Sequence, residues 1–199
     1  NIVQGVPLDA DHNYTGTLFD LLNPYALLGG LTTLLLFFTH GVVFAALKTD
    51  GEIRERARRL ATRSGALTIA VAATFLLWTG LAHGTFWFWA LAAVAALALI
   101  GSWLANARGA ERTAFTLMAV TIGAAVFGLF AALFPDVMPA SNDPANSLTI
   151  ANASSTPYTL TVMSWTALIF LPLILAYQGW TYWVFRKRVT RQTIDAAAH

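Results

Sequence analysis

All twelve Lys and Arg residues of this chain lie in three short segments, and long apolar runs separate those segments. Lys48, Arg54, Arg56, Arg58, Arg59 and Arg63 form the first cluster. Arg108 and Arg112 form the second, and Arg186, Lys187, Arg188 and Arg191 the third. Cationic loops are retained on the cytoplasmic side during insertion, so this distribution predicts an integral membrane protein together with its orientation. The composition agrees, with 57% hydrophobic and 11% charged residues. A formal charge of +2 gives no footprint for a nucleic-acid partner. The basic clusters suit anionic headgroups instead. Cysteine is absent, which excludes disulfides, thiolate metal sites and cysteine nucleophiles.

Five runs reach the ~20 residues needed to cross a ~30 Å hydrocarbon core. They are residues 24–47, 64–82, 86–104, 113–134 and 157–185, and none contains Asp, Glu, Lys or Arg. In lipid the backbone must bond within each segment, so each is expected to be helical. The fold class is therefore all-α, a polytopic membrane bundle with five transmembrane helices across residues 24–185. Parity places residues 1–23 and the loop 135–156 outside, with the loop 48–63 and the tail 186–199 inside. The polar start of the chain is neither a signal peptide nor a natural beginning, and it reads as the C-terminal part of something longer.

Local signals mark the ends of the runs. Asn23–Pro24 and Thr156–Pro157 read as N-caps followed by proline at the first helical position. Trp87 and Trp89 are expected at the outer interface, and Trp103, Trp180 and Trp183 at the inner one. Pro172 should kink the last span, because it cannot donate to the Leu168 carbonyl. Ala124, Gly128 and Ala132 recur at four-residue spacing and offer a close helix contact. Residues 51–63 read as a cytoplasmic helix with Glu52–Arg56 and Glu55–Arg59 pairs, leading into the second span.

Ionisable residues inside spans usually mark function. His40 is the clear case here. It lies about 10 Å from the inner edge, and Met118 lies at a comparable depth, so a His/Met haem pair is geometrically allowed. The reading favoured is a packing role, with His40 bonding a neighbouring carbonyl or a partner subunit. Without a carboxylate at membrane depth these spans cannot carry a proton relay alone. The loop 134–157, rich in Ser, Asn and Thr, reads as an ordered cap over the bundle or a partner. Asn152 and Ser154 within it also fit a glycosylation pattern. A transporter or permease is the rival class, for which only Pro172 and a few Thr residues qualify at mid-span.

The stretch FPDVMPASNDPANSLTIANASSTPYTLTVMSWTALIFLPLILAYQGWTYWVFRKRV resembles the C-terminal signature of subunit II of cytochrome bd-type quinol oxidases. LLNPYALLGGLTTLLLFFTHGVVFAALKT is similar to an interior span of the same family. The resemblance implies a bacterial plasma-membrane complex that oxidises quinol and reduces oxygen to water, adding to the proton gradient. Haems b and d would belong to the partner, subunit I. This chain would pack against it as scaffold, with membrane lipids, a structural quinone and small accessory subunits as further partners. The family's acidic proton-path residues fall in N-terminal spans not matched here, so no catalytic residue carries over. His40, Asn152, Ser154 and Trp165 are matching motif positions and, with Pro172, are structural or interface candidates.

Overall fold

The computed structural model describes residues 1–185. The basic tail, including Arg186, Lys187, Arg188 and Arg191, lies outside the described residues. Among the described residues, five helices are long and apolar enough to cross a membrane. They are α1 (Pro24–Lys48), α2 (Gly51–His83), α3 (Phe86–Ala107), α4 (Glu111–Leu133) and α6 (Pro157–Val184); α5 (Ile150–Ala153) is a single turn in the loop before α6.

The caps are made as the sequence predicts. The Asn23 side chain accepts from Ala26 N at 2.8 Å, and Thr156 accepts from Thr159 N. Thr85 caps α3 by accepting from Phe88 N at 3.1 Å, and Asp50 accepts from Gly51 N at 2.8 Å. These bonds satisfy N–H groups that have no partner inside the helix. The α3–α4 turn needs Gly109, whose φ is +78°. A Cβ there would be strained and would also meet the Arg58 guanidinium at 3.3 Å.

α2 spans 33 residues, about 50 Å at 1.5 Å per residue, against a ~30 Å core. Its first turns therefore project beyond the hydrocarbon as a straight continuation of the second span. The Glu52–Arg56 pair forms, at 2.5 Å. The expected Glu55–Arg59 pair is replaced by Glu55–Arg58 at 3.2 Å. Three- and four-residue neighbours are both within reach on a helix, and Arg58 is already fixed near Glu55 by carbonyls of α3.

Helices α1 to α4 form an up-and-down bundle: each packs on the next, and α4 closes against α1. Small side chains bring the backbones together, among them Ala57, Ala61, Ala92, Ala95, Ala105 and Ala114, all buried. Ala124 and Gly128 are buried as their spacing suggests, with Gly128 facing Leu91 and Phe88. Trp103, near the end of α3, also packs between helices. Its indole donates to Thr62 O at 2.9 Å, and its ring fills the space beside Gly65, where a Cβ would lie 2.8 Å from Cδ1. Trp89 likewise packs over Gly80 and Gly84. The Trp103 ring turns inward because Gly65 leaves room for it, whereas Trp89 stays 41% exposed.

At the far end, residues 1–17 and the loop 134–156 build one cap. Strands β1 (Asp136–Met138) and β2 (Leu148–Thr149) pair antiparallel, and Val6 bridges Ala140 in parallel. Leu8 is buried beneath them, its N–H and carbonyl bonded to Asn142 and its carbonyl also to Asn146. The loop is ordered as its composition predicts, and it closes on the start of the chain.

Candidate functional site

Polar chemistry collects at the opposite end, where the first two basic clusters converge. Glu111 opens α4, in the first turn where the helix dipole favours a carboxylate. It is 4% exposed. Arg54 donates to its Oε1 through Nε at 2.8 Å, with Nη2 2.7 Å from that oxygen and Arg58 Nε 3.7 Å from it. Arg58 Nη2 also donates to the Asn106 and Ala107 carbonyls at 3.4 and 3.2 Å. Asn106 returns the contact, donating to Arg58 O and Thr62 Oγ1. The projecting turns of α2 are thus clamped onto the α3–α4 corner. The sequence reading missed Glu111, which stands two residues outside the fourth span. Its signal was available: it is the single acidic residue of a connection otherwise bearing arginines.

Inside the bundle, hydroxyls pair across helices. Thr39 meets Ser64 at 3.0 Å and Thr68 at 2.9 Å, Tyr25 meets Thr79 at 2.8 Å, and Ser102 donates to Ala114 O at 2.7 Å. His40 lies one residue from Thr39 but takes another direction. It is half-buried and stacks on Phe115 with ring centroids 4.6 Å apart. Its Nδ1 is buried without a hydrogen-bond partner among the described residues. Met118 is spent elsewhere, 2% exposed in a cluster with Leu36, Ala72 and Leu99. Of the two partners expected for His40, a neighbouring carbonyl does not reach Nδ1 among the described residues, where the ring stacks on Phe115.

Asn152 and Ser154 hold the loop. Asn152 forms a capping box with Thr149, accepting from its N–H at 2.6 Å, and donates through Nδ2 to Ser147 O at 3.1 Å. Ser154 donates to Ile150 O. The nitrogen a glycan would need is therefore engaged in holding the turn.

Trp165 and Pro172 lie on α6, and α6 has no buried residue. The helix runs continuously through Pro172. Its foot touches the bundle where Lys48 Nζ donates to Phe185 O at 2.6 Å. Trp165 is 62% exposed. The five predicted residues do not converge: His40 is within the bundle, Asn152 and Ser154 are in the cap, and Trp165 and Pro172 are on the open helix.

A cavity of about 190 Å³ lies between the α1–α2 and α3–α4 hairpins, lined by Leu36, Ile69, Leu76, Leu99, Ile122 and their neighbours. Thr32, Thr33 and Thr121 reach it, but each hydroxyl already bonds a carbonyl four residues back. No His, Met or Tyr lines it, so its walls carry no haem ligand.

The profile of the family described as cytochrome bd terminal oxidase subunit II matches residues 1–185. Cytochrome bd ubiquinol oxidase subunit 2 of Bacillus subtilis (strain 168) is 37% identical over 216 residues, covering 96% of this chain and 58% of that protein. Cytochrome bd-I ubiquinol oxidase subunit 2 of Escherichia coli (strain K12) is 28% identical over 237 residues, covering 100% of this chain and 62% of that protein. A probable cytochrome oxidase subunit 2 of Haemophilus influenzae is 30% identical over 239 residues, with the same coverage of 100% and 62%. The chain thus spans about three-fifths of the length of the curated relatives it matches. Two apolar hairpins, a long open helix and a profile match through the last described residue lead to one assignment: the chain belongs to the cytochrome bd terminal oxidase subunit II family.

Proposed function

We propose that the chain serves a cytochrome bd-type quinol:oxygen oxidoreductase as a scaffold subunit, with the haems and the oxygen chemistry in subunit I. The observation that carries this reading is α6: 28 residues of membrane length without one buried side chain. Apolar helices gain little from meeting each other in lipid unless they pack closely or share hydrogen bonds. An open helix carrying Trp165, Thr161 and Ser164 on one flank therefore offers a partner what the bundle does not use. A subunit carrying haems b and d is that partner. His40 contributes to packing and to the interface, and Asn152 and Ser154 fix the cap.

The residues described do not fit a haem. Met118 is enclosed by the core, and His40 lies against Phe115. An isoprenoid tail suits the apolar cavity between the hairpins better than a quinone ring does, because the threonine hydroxyls there are committed. The proposed orientation puts the loop 48–63 and the C-terminal tail on the cytoplasmic side of a bacterial plasma membrane.

The test is purification of the tagged chain in mild detergent. A haem-bearing polypeptide and quinol-dependent oxygen consumption are expected to accompany it, and His40→Ala should leave the haem spectrum of the complex unchanged. Haem retained by the isolated chain would overturn the division of labour. So would oxygen consumption that survives deletion of the chain.

A further inference from the structure

The arginines on the projecting turns of α2 divide by face. Arg54 and Arg58 turn inward to Glu111, whereas Arg56, Arg59 and Arg63 are exposed. Positions 56, 59 and 63 follow one helical stripe. Arg56 is paired with Glu52, and Arg59 and Arg63 make no ion pair among the described residues. Beside this stripe, Ile53 and Leu60 expose 63% and 46% of their surface, seven residues apart and so on one flank.

That flank looks onto α1. An open groove of about 650 Å³ runs between residues 37–45 of α1 and Ile53, Arg56 and Leu60 of α2. Gly41 lies along it, and no atom lies within 4 Å of where a Cβ would stand. The α1 wall belongs to a span, so its depth is that of acyl chains. The α2 wall belongs to the projecting turns, so its depth is that of headgroups. An occupant must therefore be hydrocarbon at one end and anionic at the other. Guanidinium groups supply the second requirement, since their fork matches phosphate oxygens.

We propose that this groove binds an acidic glycerophospholipid of the adjoining leaflet. One acyl chain lies along residues 37–45, and the phosphodiester is held by Arg56, which lines the groove, while Arg59 and Arg63 on the adjoining stripe add positive charge beside it. The site goes beyond the oxidase reading and does not depend on it.

The test uses the protein as isolated from membranes with whatever accompanies it, placed in nanodiscs of phosphatidylglycerol or of phosphatidylcholine with a photoactivatable acyl chain. Adducts on the peptide holding residues 37–45 are expected on the order of tenfold more often with phosphatidylglycerol, as suits several arginines near a charged surface. The R56Q/R59Q/R63Q variant should erase that preference while leaving the Glu111 clamp intact. Leu60→Trp, which fills the groove and keeps every arginine, should remove the adducts with both lipids. Three results would overturn the site: equal labelling by the two lipids, a preference that survives the triple variant, or a photo-crosslinker at position 60 capturing a polypeptide in place of lipid.

Discussion

The four-helix bundle and α6 have much the same apolar composition, yet one is packed and the other is bare. In α3, Phe88, Ala92, Ala95, Ala98, Leu99, Ser102, Ala105 and Asn106 are buried. Over its 28 residues α6 buries none. Hydrophobicity cannot explain the difference, because lipid welcomes both. What separates them is what their side chains can do at close range. The bundle helices carry alanine and glycine where backbones cross, and they carry hydroxyls that find partners. Half of the buried positions of α3 are Ala, whereas α6 runs through Leu168, Ile169, Phe170, Leu171, Leu173, Ile174 and Leu175, all more than half exposed. Large aliphatic side chains hold neighbours apart in a membrane, and their own dispersion contacts are met equally well by acyl chains.

The largest effect should come from the clamp that makes the bundle rigid at its charged end. Glu111→Ala leaves Arg54 and Arg58 partly buried beside each other, and loss of one partner from a buried ion pair costs about 3–5 kcal/mol. Thermal unfolding in detergent should report that loss, with α2's projecting turns becoming sensitive to protease. An unchanged midpoint would mean that the bundle does not rely on the clamp.

Next in size is a paired test of crowding. Gly65→Leu drives a side chain into the Trp103 ring, and overpacking of this kind costs about 1–3 kcal/mol. Gly179→Leu on α6 meets nothing within 4 Å. It should leave the stability of the chain alone and still weaken co-purification of a partner that covers α6. If Gly179→Leu destabilises the isolated chain, α6 is packed on the bundle after all and the contrast fails.

Smaller still is Ser102→Ala, which removes the 2.7 Å bond to Ala114 O between α3 and α4. A loss of about 0.5–1.5 kcal/mol is expected from a buried hydrogen bond. The equivalent change on α6, Thr166→Ala, breaks only a bond to its own helix at Val162 O. Its effect on unfolding should be smaller than that of Ser102→Ala, and the reverse order would count against close polar pairing as the bundle's distinguishing feature.

The mildest expectation concerns the short turn between the cap and α1. Asp20 accepts from the Thr17 backbone N–H and hydroxyl, and these bonds hold its carboxyl below the ordinary value of 3.8. A depressed pKa in the folded state means that the contribution is complete above the unfolded value and is lost as pH falls through the lower folded one. An NMR titration of Asp20 should show its midpoint below 3.8, and Thr17→Ala should move it upward. A midpoint that ignores Thr17→Ala would remove these bonds as the cause.

Much of the helical plan could be read from single segments. Asn23–Pro24 and Thr156–Pro157 announced their helices because a cap is made within four residues. The gathering of Lys48, Arg54 and Arg108 near one end could be read because cation retention acts on each loop separately. Other features could not. Glu111 stands 57 residues from Arg54, and nothing near either residue says that they meet. That the Trp103 indole would fill the space beside Gly65, on another helix, could not be read from either segment. The orphaned Nδ1 of His40 was equally hidden, since the ring beneath it comes from Phe115 on α4.

Crossing hydrocarbon is decided residue by residue against a uniform solvent, so length, apolar content and flanking charge were enough to mark the spans and to sort their connections. Choosing neighbours inside that solvent is decided by small differences in contact distance and by rare polar partners far apart in the chain. Which helices close into a bundle, and which one stays bare beside it, therefore emerged only once the backbones were brought together.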